Sequence, residues 1–278
     1  MTSESTSAET ESRYQENTVK VFGHNMHVLK GGSGDSLVVL HHEIGSAGWT
    51  PLHDRLAQDF TVYAPDLPGY GRSERLEWAR HPRDLALVMQ GLLDELGIQT
   101  CTLVGLGFGG WLAAEMVPMN QGRFSELVLV GSMGLRPKSG EIMDQMLMTF
   151  DDYIRSGFID VAAHDRILGE ESTREQRALW SDARETTARL AWKPYMFSHQ
   201  LPHTLAGVRV PTLVVWGRQD KIVPLACADQ FVEALFHAKL AIIDDAGHFL
   251  DMERPVEIAE LVRGHARTGA RSEPAATR

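Results

Sequence analysis

The stretch CTLVGLGFGGWLAAEM, residues 101–116, reads as a strand, a tight glycine-rich turn and a helix in immediate succession. Its first part, CTLVGL, is apolar without polar alternation, as a strand covered on both faces of a parallel sheet must be. Its second part opens the run WLAAEMVPMN (111–120), which returns apolar side chains at three- and four-residue spacing. Outward from this segment the same alternation recurs. SLVVLHH (36–42), TVYAPD (61–66), ELVLVG (126–131), PTLVVWG (211–217) and KLAIID (239–244) are further strand candidates, and TVKVF with HNMHVLKG forms an antiparallel start. PRDLALVMQGLLDELG (82–97), ACADQFVEALF (226–236) and PVEIAELVRGHA (255–266) are the intervening helices. Short strands alternating with longer helices predict an α/β fold, a mainly parallel central sheet flanked by helices on both faces.

The alternation breaks once. Between Gly131 and Pro211 no strand candidate occurs, only helical stretches such as EIMDQMLMTFDDYIRSGF (141–158) and REQRALWSDARETTARLAW (174–192). This predicts an inserted helical cap over 136–206, lying on the C-terminal edge of the sheet where open α/β sheets place their ligands; a helical oligomer interface is the alternative. The core then comprises 18–135 and 207–265. Residues 1–17 and 266–278 are polar and poor in apolar side chains, which predicts a disordered N-terminal tail and a flexible C-terminal tail.

With 278 residues, 43% hydrophobic and 23% charged, the chain has ordinary globular usage and is long enough for one large domain. A net charge of −10 without a Lys/Arg block argues against nucleic acid as a partner. No run reaches membrane-spanning length and residues 1–17 lack the apolar centre of a secretory signal, so no membrane partner is expected. Two cysteines, Cys101 and Cys227, suggest neither a disulfide framework nor a thiolate metal site and fit a cytoplasmic location. GLGFGG satisfies neither the lysine-containing phosphate loop nor a dinucleotide fingerprint, and no cofactor is expected. The expected partner is a small-molecule substrate, and a homo-oligomer is compatible with the composition.

Four segments together resemble the α/β-hydrolase superfamily. Gly105-Leu106-Gly107-Phe108-Gly109 resembles the G-x-S-x-G nucleophile elbow, DLPGYGRSE (66–74) a loop of that fold, WGRQDKIVP (216–224) its acid loop and AGHFLDMERP (246–255) its histidine loop. They span about 36–265 in the family's order of nucleophile, acid and histidine. The last two loops most resemble those of hydrolases that cleave carbon–carbon bonds in meta-cleavage products. The resemblance implies that His248 is a general base oriented by Asp220, and that Phe108 gives a backbone N–H to an oxyanion hole. It also exposes a departure: Gly107 stands where the nucleophilic serine belongs.

A second departure follows the SLVVL strand, where the family usually reads His-Gly and this chain reads His41-His42-Glu43. These three side chains either line the mouth of the site or point outward on a solvated loop. His41, His42, Glu43 and His248 are candidate metal ligands, but the run HHE lacks a helix-face spacing such as HExxH, and no metal is expected. Trp192 and Tyr195 are the cap residues expected to face the pocket, the rest of its aromatic and methionine side chains being packing. Without a serine, acyl-enzyme chemistry is excluded. Three readings remain: a serine-independent enzyme using the His248/Asp220 dyad for water-mediated hydrolysis, carbon–carbon cleavage or lyase-type proton transfer; a non-catalytic small-molecule-binding homologue; and an engineered serine-to-glycine knockout. The retained dyad favours the first, because an idle scaffold has no need of a buried Asp–His pair.

Overall fold

A computed structural model of the chain describes residues 13–269. Among these residues eight strands form one sheet: β1 (Gln15–Val21), β2 (His24–Gly31), β3 (Asp35–Leu40), β4 (Phe60–Pro65), β5 (Cys101–Leu106), β6 (Phe124–Val130), β7 (Thr212–Gly217) and β8 (Ala238–Ile243). Their order is β1-β2-β4-β3-β5-β6-β7-β8. The β1–β2 and β2–β4 pairs are antiparallel and the remaining pairs parallel.

Among the described residues ten α-helices accompany them: α1 (Pro51–Leu56), α2 (Pro82–Glu95), α3 (Phe108–Met119), α4 (Phe150–Ser156), α5 (Val161–Leu168), α6 (Arg174–Ala191), α7 (Leu201–Leu205), α8 (Ala226–Ala234), α9 (Leu250–Glu253) and α10 (Pro255–Gly269). Successive strand side chains point to opposite faces, so neighbours divide between two cores. Leu103, Leu127 and Leu129 join Leu85 and Leu92 of α2, Leu112 of α3 and Phe231 of α8. Val104, Val128 and Val130 join Leu52 and Leu56 of α1 and Ile258 and Val262 of α10 on the other face. Both faces of β5 are buried, which is why its sequence carries no polar alternation.

Two expected boundaries move. The tail expected over 1–17 ends early, because β1 begins at Gln15, whose backbone pairs with that of Lys30; an edge strand needs ladder bonds but few buried side chains. At the other end α10 runs on to Gly269, beyond the expected limit of 265. Residues 1–12 and 270–278 lie outside the described range.

Between β6 and β7 the described residues form helices α4–α7, with only an isolated bridge between Gly134 and Phe197. The single long helix expected over 141–158 is instead a short turn at 145–147 followed by α4. Thr149 interrupts it: its hydroxyl accepts the Asp152 N–H and caps a new helix. Among the described residues, no helix is long and apolar enough to cross a membrane. Both cysteines are buried, and burial pushes each thiol up to about 12.

Strand β5 and helix α3 pack without room for a side chain at Gly105. A Cβ there would lie 2.5 Å from both the Gly109 carbonyl oxygen and Gly110 Cα, backbone atoms that cannot rotate away. Gly105→Ala is therefore expected to destabilise the fold by about 1–3 kcal/mol through overpacking. Gly264→Ala in α10, where the added Cβ meets nothing within 4 Å, is expected to be neutral or stabilising by up to about 1 kcal/mol. Urea-unfolding midpoints of the two variants against the parent chain check this contrast.

Candidate active site

The loops at the C-terminal ends of β3, β5, β7 and β8 converge on one point. Gly107, between β5 and α3, has φ 52° and ψ −113°, a conformation L side chains rarely adopt, and it turns the chain sharply from strand to helix. Its N–H donates to the Val130 carbonyl, and the Gly109 N–H donates to the His41 carbonyl, fastening the turn to β6 and to the loop after β3.

His248 follows β8, and its Nδ1–H donates to Asp220 Oδ2 at 2.8 Å. The other Asp220 oxygen accepts the N–H groups of Ile222 and Val223, both at 2.8 Å, so the carboxylate is fixed before it orients the ring. His248 N–H itself donates to the carbonyl of Gly157, just beyond α4. Glu43 is fully buried; Tyr153 of α4 donates its hydroxyl to Glu43 Oε1 at 2.9 Å, and Oε1 lies 3.8 Å from His248 Nε2, an ion-pair distance too long for a hydrogen bond. His42 donates from Nε2 to Asp251 Oδ1 at 2.8 Å. Each of these three side chains is thus held from behind. The atoms they leave in front, His42 Nδ1, Glu43 Oε2 and His248 Nε2, are buried and have no hydrogen-bond partner among the described residues.

These three atoms surround the place a side chain at position 107 would occupy. A Cβ on Gly107 would lie 2.5 Å from His42 Nδ1, 2.8 Å from Glu43 Oε2 and 3.1 Å from His248 Nε2. Burial opposes charge on His248, but Asp220 and Glu43 outweigh it and lift the ring to about 10. Burial likewise opposes charge on Glu43, and His248 and His42 outweigh it, holding the carboxyl at about 2.

Residues 37–261 match the alpha/beta hydrolase family over most of the chain. The chain belongs to that family. It is 30% identical over 246 residues to the 2-hydroxymuconate semialdehyde hydrolase of Pseudomonas sp. strain CF600, covering 83% of this chain and 86% of that one. It is 27% identical to a 2-hydroxy-6-oxononadienedioate/2-hydroxy-6-oxononatrienedioate hydrolase of Paraburkholderia phymatum, over 84% and 87% of the two chains. A meta-cleavage product hydrolase mutant from Pseudomonas fluorescens IP01 shares the fold with a TM-score of 0.77 at 20% identity, over 91% of this chain and 97% of that one. The homology to carbon–carbon hydrolases read from the acid and histidine loops agrees with these relatives.

Within this family fold, the other expected site residues fall differently. His41 does not join the cluster: its Nδ1–H donates to the His42 carbonyl and its Nε2 accepts the Leu67 N–H, so both ring nitrogens are satisfied within the loops. Burial, above all, lowers its affinity for a proton. The Leu67 amide belongs to the DLPGYGRSE loop, whose part is therefore to fix His41 and the segment after it. Phe108 heads α3, which leaves its N–H among the first-turn amides without an intrahelical acceptor. Trp192 is a correction. It is 51% exposed at the end of α6, where its ring packs edge-on against Tyr195, so it is not buried in a pocket. Tyr195 is partly buried, and its hydroxyl is engaged by the Gln145 N–H and the Met143 carbonyl.

Two residues were missed. Asp251 lies three positions after His248 in the histidine loop, where its carboxylate could have been noticed; Tyr153 carries no such signal, since only folding of α4 over the sheet brings it to Glu43. Of the four residues considered for a metal, folding brings His42, Glu43 and His248 together, with one donor atom of each within 4.8 Å of the others, and leaves His41 outside.

The Tyr153 hydroxyl is the link between the helical layer and Glu43. Tyr153→Phe removes it and leaves a buried carboxylate oxygen without its donor, so the variant is expected to lose about 1–3 kcal/mol of stability. Thermal unfolding compared with Tyr195→Phe, which keeps the Glu43 bond, checks that the loss belongs to this contact.

Proposed function

We propose that the chain is a serine-independent hydrolase or lyase acting on a small organic substrate, with its reacting group lodged over Gly107 and His248, oriented by Asp220, handling the proton. The observation that carries this reading is the trio of buried, unpartnered polar atoms surrounding the place of the missing side chain. A hydroxymethyl group at position 107 would collide with them, and His42, Glu43 and His248 are each pinned by Asp251, Tyr153 and Asp220. The glycine therefore fits its surroundings, which speaks against a knockout of an otherwise ordinary serine enzyme. A pure binding pocket, for its part, gains nothing from three buried groups whose polar atoms face one another.

The relatives favour carbon–carbon cleavage of a conjugated keto-enol acid of the 2-hydroxymuconate semialdehyde class. Such a step uses water in place of serine. Water adds its oxygen to the carbonyl carbon and gives a proton to the His248–Glu43 pair. The bond from that carbon to its neighbour then breaks, its electron pair passes into the conjugated system, and the proton returns to the departing carbon. One water is consumed and an acid and an enol are released, so the balance needs no further reactant. A cavity of about 340 Å³ is lined by Ile44, Gly45, Ser46, Leu168, Gln176 and Trp180 among others, the first of them next to Glu43 in sequence; this reading assigns it to the substrate, although His42, Glu43, Gly107 and His248 do not line it.

The test is the decay of the substrate's conjugated chromophore. His248→Ala is expected to lower turnover by about 10²–10⁴-fold, the usual contribution of a positioned acid–base group, while Cys101→Ala stays within a few-fold of the parent chain. Gly107→Ser is expected to lower turnover as well, since it fills the reacting volume at a left-handed backbone position. An increase of several orders of magnitude in Gly107→Ser would overturn serine independence.

A further inference from the structure

We propose that His42 Nδ1, Glu43 Oε2 and His248 Nε2 form a site for one divalent first-row transition-metal ion, seated over Gly107. This rests on the reading above only in taking that space as the reacting centre, and it specifies what is lodged there.

The first argument is geometric. The three donors lie within 4.8 Å of one another, and a single point, the position of the absent Gly107 Cβ, is 2.5, 2.8 and 3.1 Å from them. That point is one bond length from Gly107 Cα, so the ion would sit farther out, toward the three donors, where metal bonds to imidazole nitrogen and carboxylate oxygen of ~2.0–2.2 Å can be met. Glycine at position 107 is then a requirement, because any side chain would stand where the ion binds.

The second argument is the state of the donors. The Nε2–H of His42 is committed to Asp251 and the Nδ1–H of His248 to Asp220, which leaves the other nitrogen of each ring facing inward; the ion binds by displacing the proton that Asp220 and Glu43 favour on His248. Glu43 spends Oε1 on the Tyr153 hydroxyl and turns Oε2 inward. Carboxylate-to-imidazole bonds behind the ligands are the arrangement that fixes tautomer and orientation in metal centres. Among the described residues, the ion-pair partners of Asp220, Glu43 and Asp251 are His248 and His42 alone, with no lysine or arginine ion-paired to these carboxylates. A cation between the three inward atoms adds a positive charge facing Glu43 and the carboxylates behind the two rings.

Two nitrogen donors and one oxygen select Zn²⁺, Fe²⁺, Co²⁺ or Mn²⁺ over Ca²⁺ and Mg²⁺, which prefer all-oxygen sets. Three protein ligands leave coordination positions open for water or a substrate oxygen, as catalytic rather than structural sites do. In the loaded chain Asp220 orients a ligand, and the ion polarises the oxygen that His248 would otherwise serve. A single water, accepting from a protonated His248 and donating to His42 and Glu43, is the competing occupant.

The experiment is calorimetric titration of the full chain, stripped with chelator, with Zn²⁺, Co²⁺ and Mg²⁺, supported by visible spectroscopy of the Co²⁺ form. One Zn²⁺ per chain, Co²⁺ ligand-field bands and no competition by Mg²⁺ are expected. Glu43→Gln and His42→Ala should each weaken Zn²⁺ binding at least 100-fold, Asp251→Asn by about 10–100-fold, and His199→Ala, an exposed histidine elsewhere, should leave it unchanged. Circular dichroism establishes that the variants fold; if Glu43→Gln does not, Asp251→Asn carries the comparison. Absence of stoichiometric binding, or binding indifferent to Glu43→Gln, His42→Ala and Asp251→Asn together, overturns the site. Turnover by a chain that binds no Zn²⁺ refutes the metal and leaves the proposed function standing. Stoichiometric binding lost in these variants, with no substrate of the class cleaved, upholds the site and refutes that function.

Discussion

Everything at the centre of this protein depends on the space above one left-handed glycine. Gly107 holds φ 52° at the junction of β5 and α3, and the volume its Cβ would take is bounded by His42, Glu43 and His248. In the family's ordinary arrangement the elbow exists to project a hydroxyl; here the same backbone turn creates a recess walled by polar atoms. The turn is kept with glycine at its tip, because the sheet geometry that would aim a side chain upward equally well aims the backbone at the residues above it.

Burying two histidines and three carboxylates together is unfavourable unless each is paired, and breaking one such pair leaves an uncompensated charge that typically costs about 3–5 kcal/mol. The structure meets this by giving every group a fixed partner behind it: Asp251 for His42, Tyr153 for Glu43, Asp220 for His248, and the Ile222 and Val223 amides for Asp220. The partners come from distant segments. The helical layer takes part directly, through Tyr153 on Glu43, the Thr187 hydroxyl on the Glu43 carbonyl and the Gly157 carbonyl on the His248 amide. Opening that layer to admit substrate would therefore disturb the same bonds that hold the polar atoms in place, which couples access to the organisation of the site.

Much of the fold was legible because its signals are local. Strand β5 matched its sequence boundaries residue for residue, since an uninterrupted apolar run followed by glycines has few alternatives. The Asp220–His248 pairing was also legible, from motif order. The tail boundary at Gln15 was not, because edge strands are held by backbone bonds that leave little trace in side-chain pattern. Trp192 misled for a related reason: a large aromatic in a helical insertion looks like pocket lining, yet its position at the end of α6 leaves it half in solvent.

The sequence by itself determined that a glycine replaces the serine, that an acid and a histidine remain in family order, and that two histidines and a glutamate follow β3. Only the tertiary structure decided what those facts mean together. Adjacent residues diverge in direction, so His41 turned to the Leu67 amide while His42 and Glu43 turned inward, a choice invisible in the string HHE. Convergence of His42 and Glu43 with His248, more than two hundred positions away, and support from Tyr153 and Asp251, required the sheet order that sets β3 beside β5 and the helices that close over them. Motifs record which groups are available; distances between strand ends fix which of them share a space.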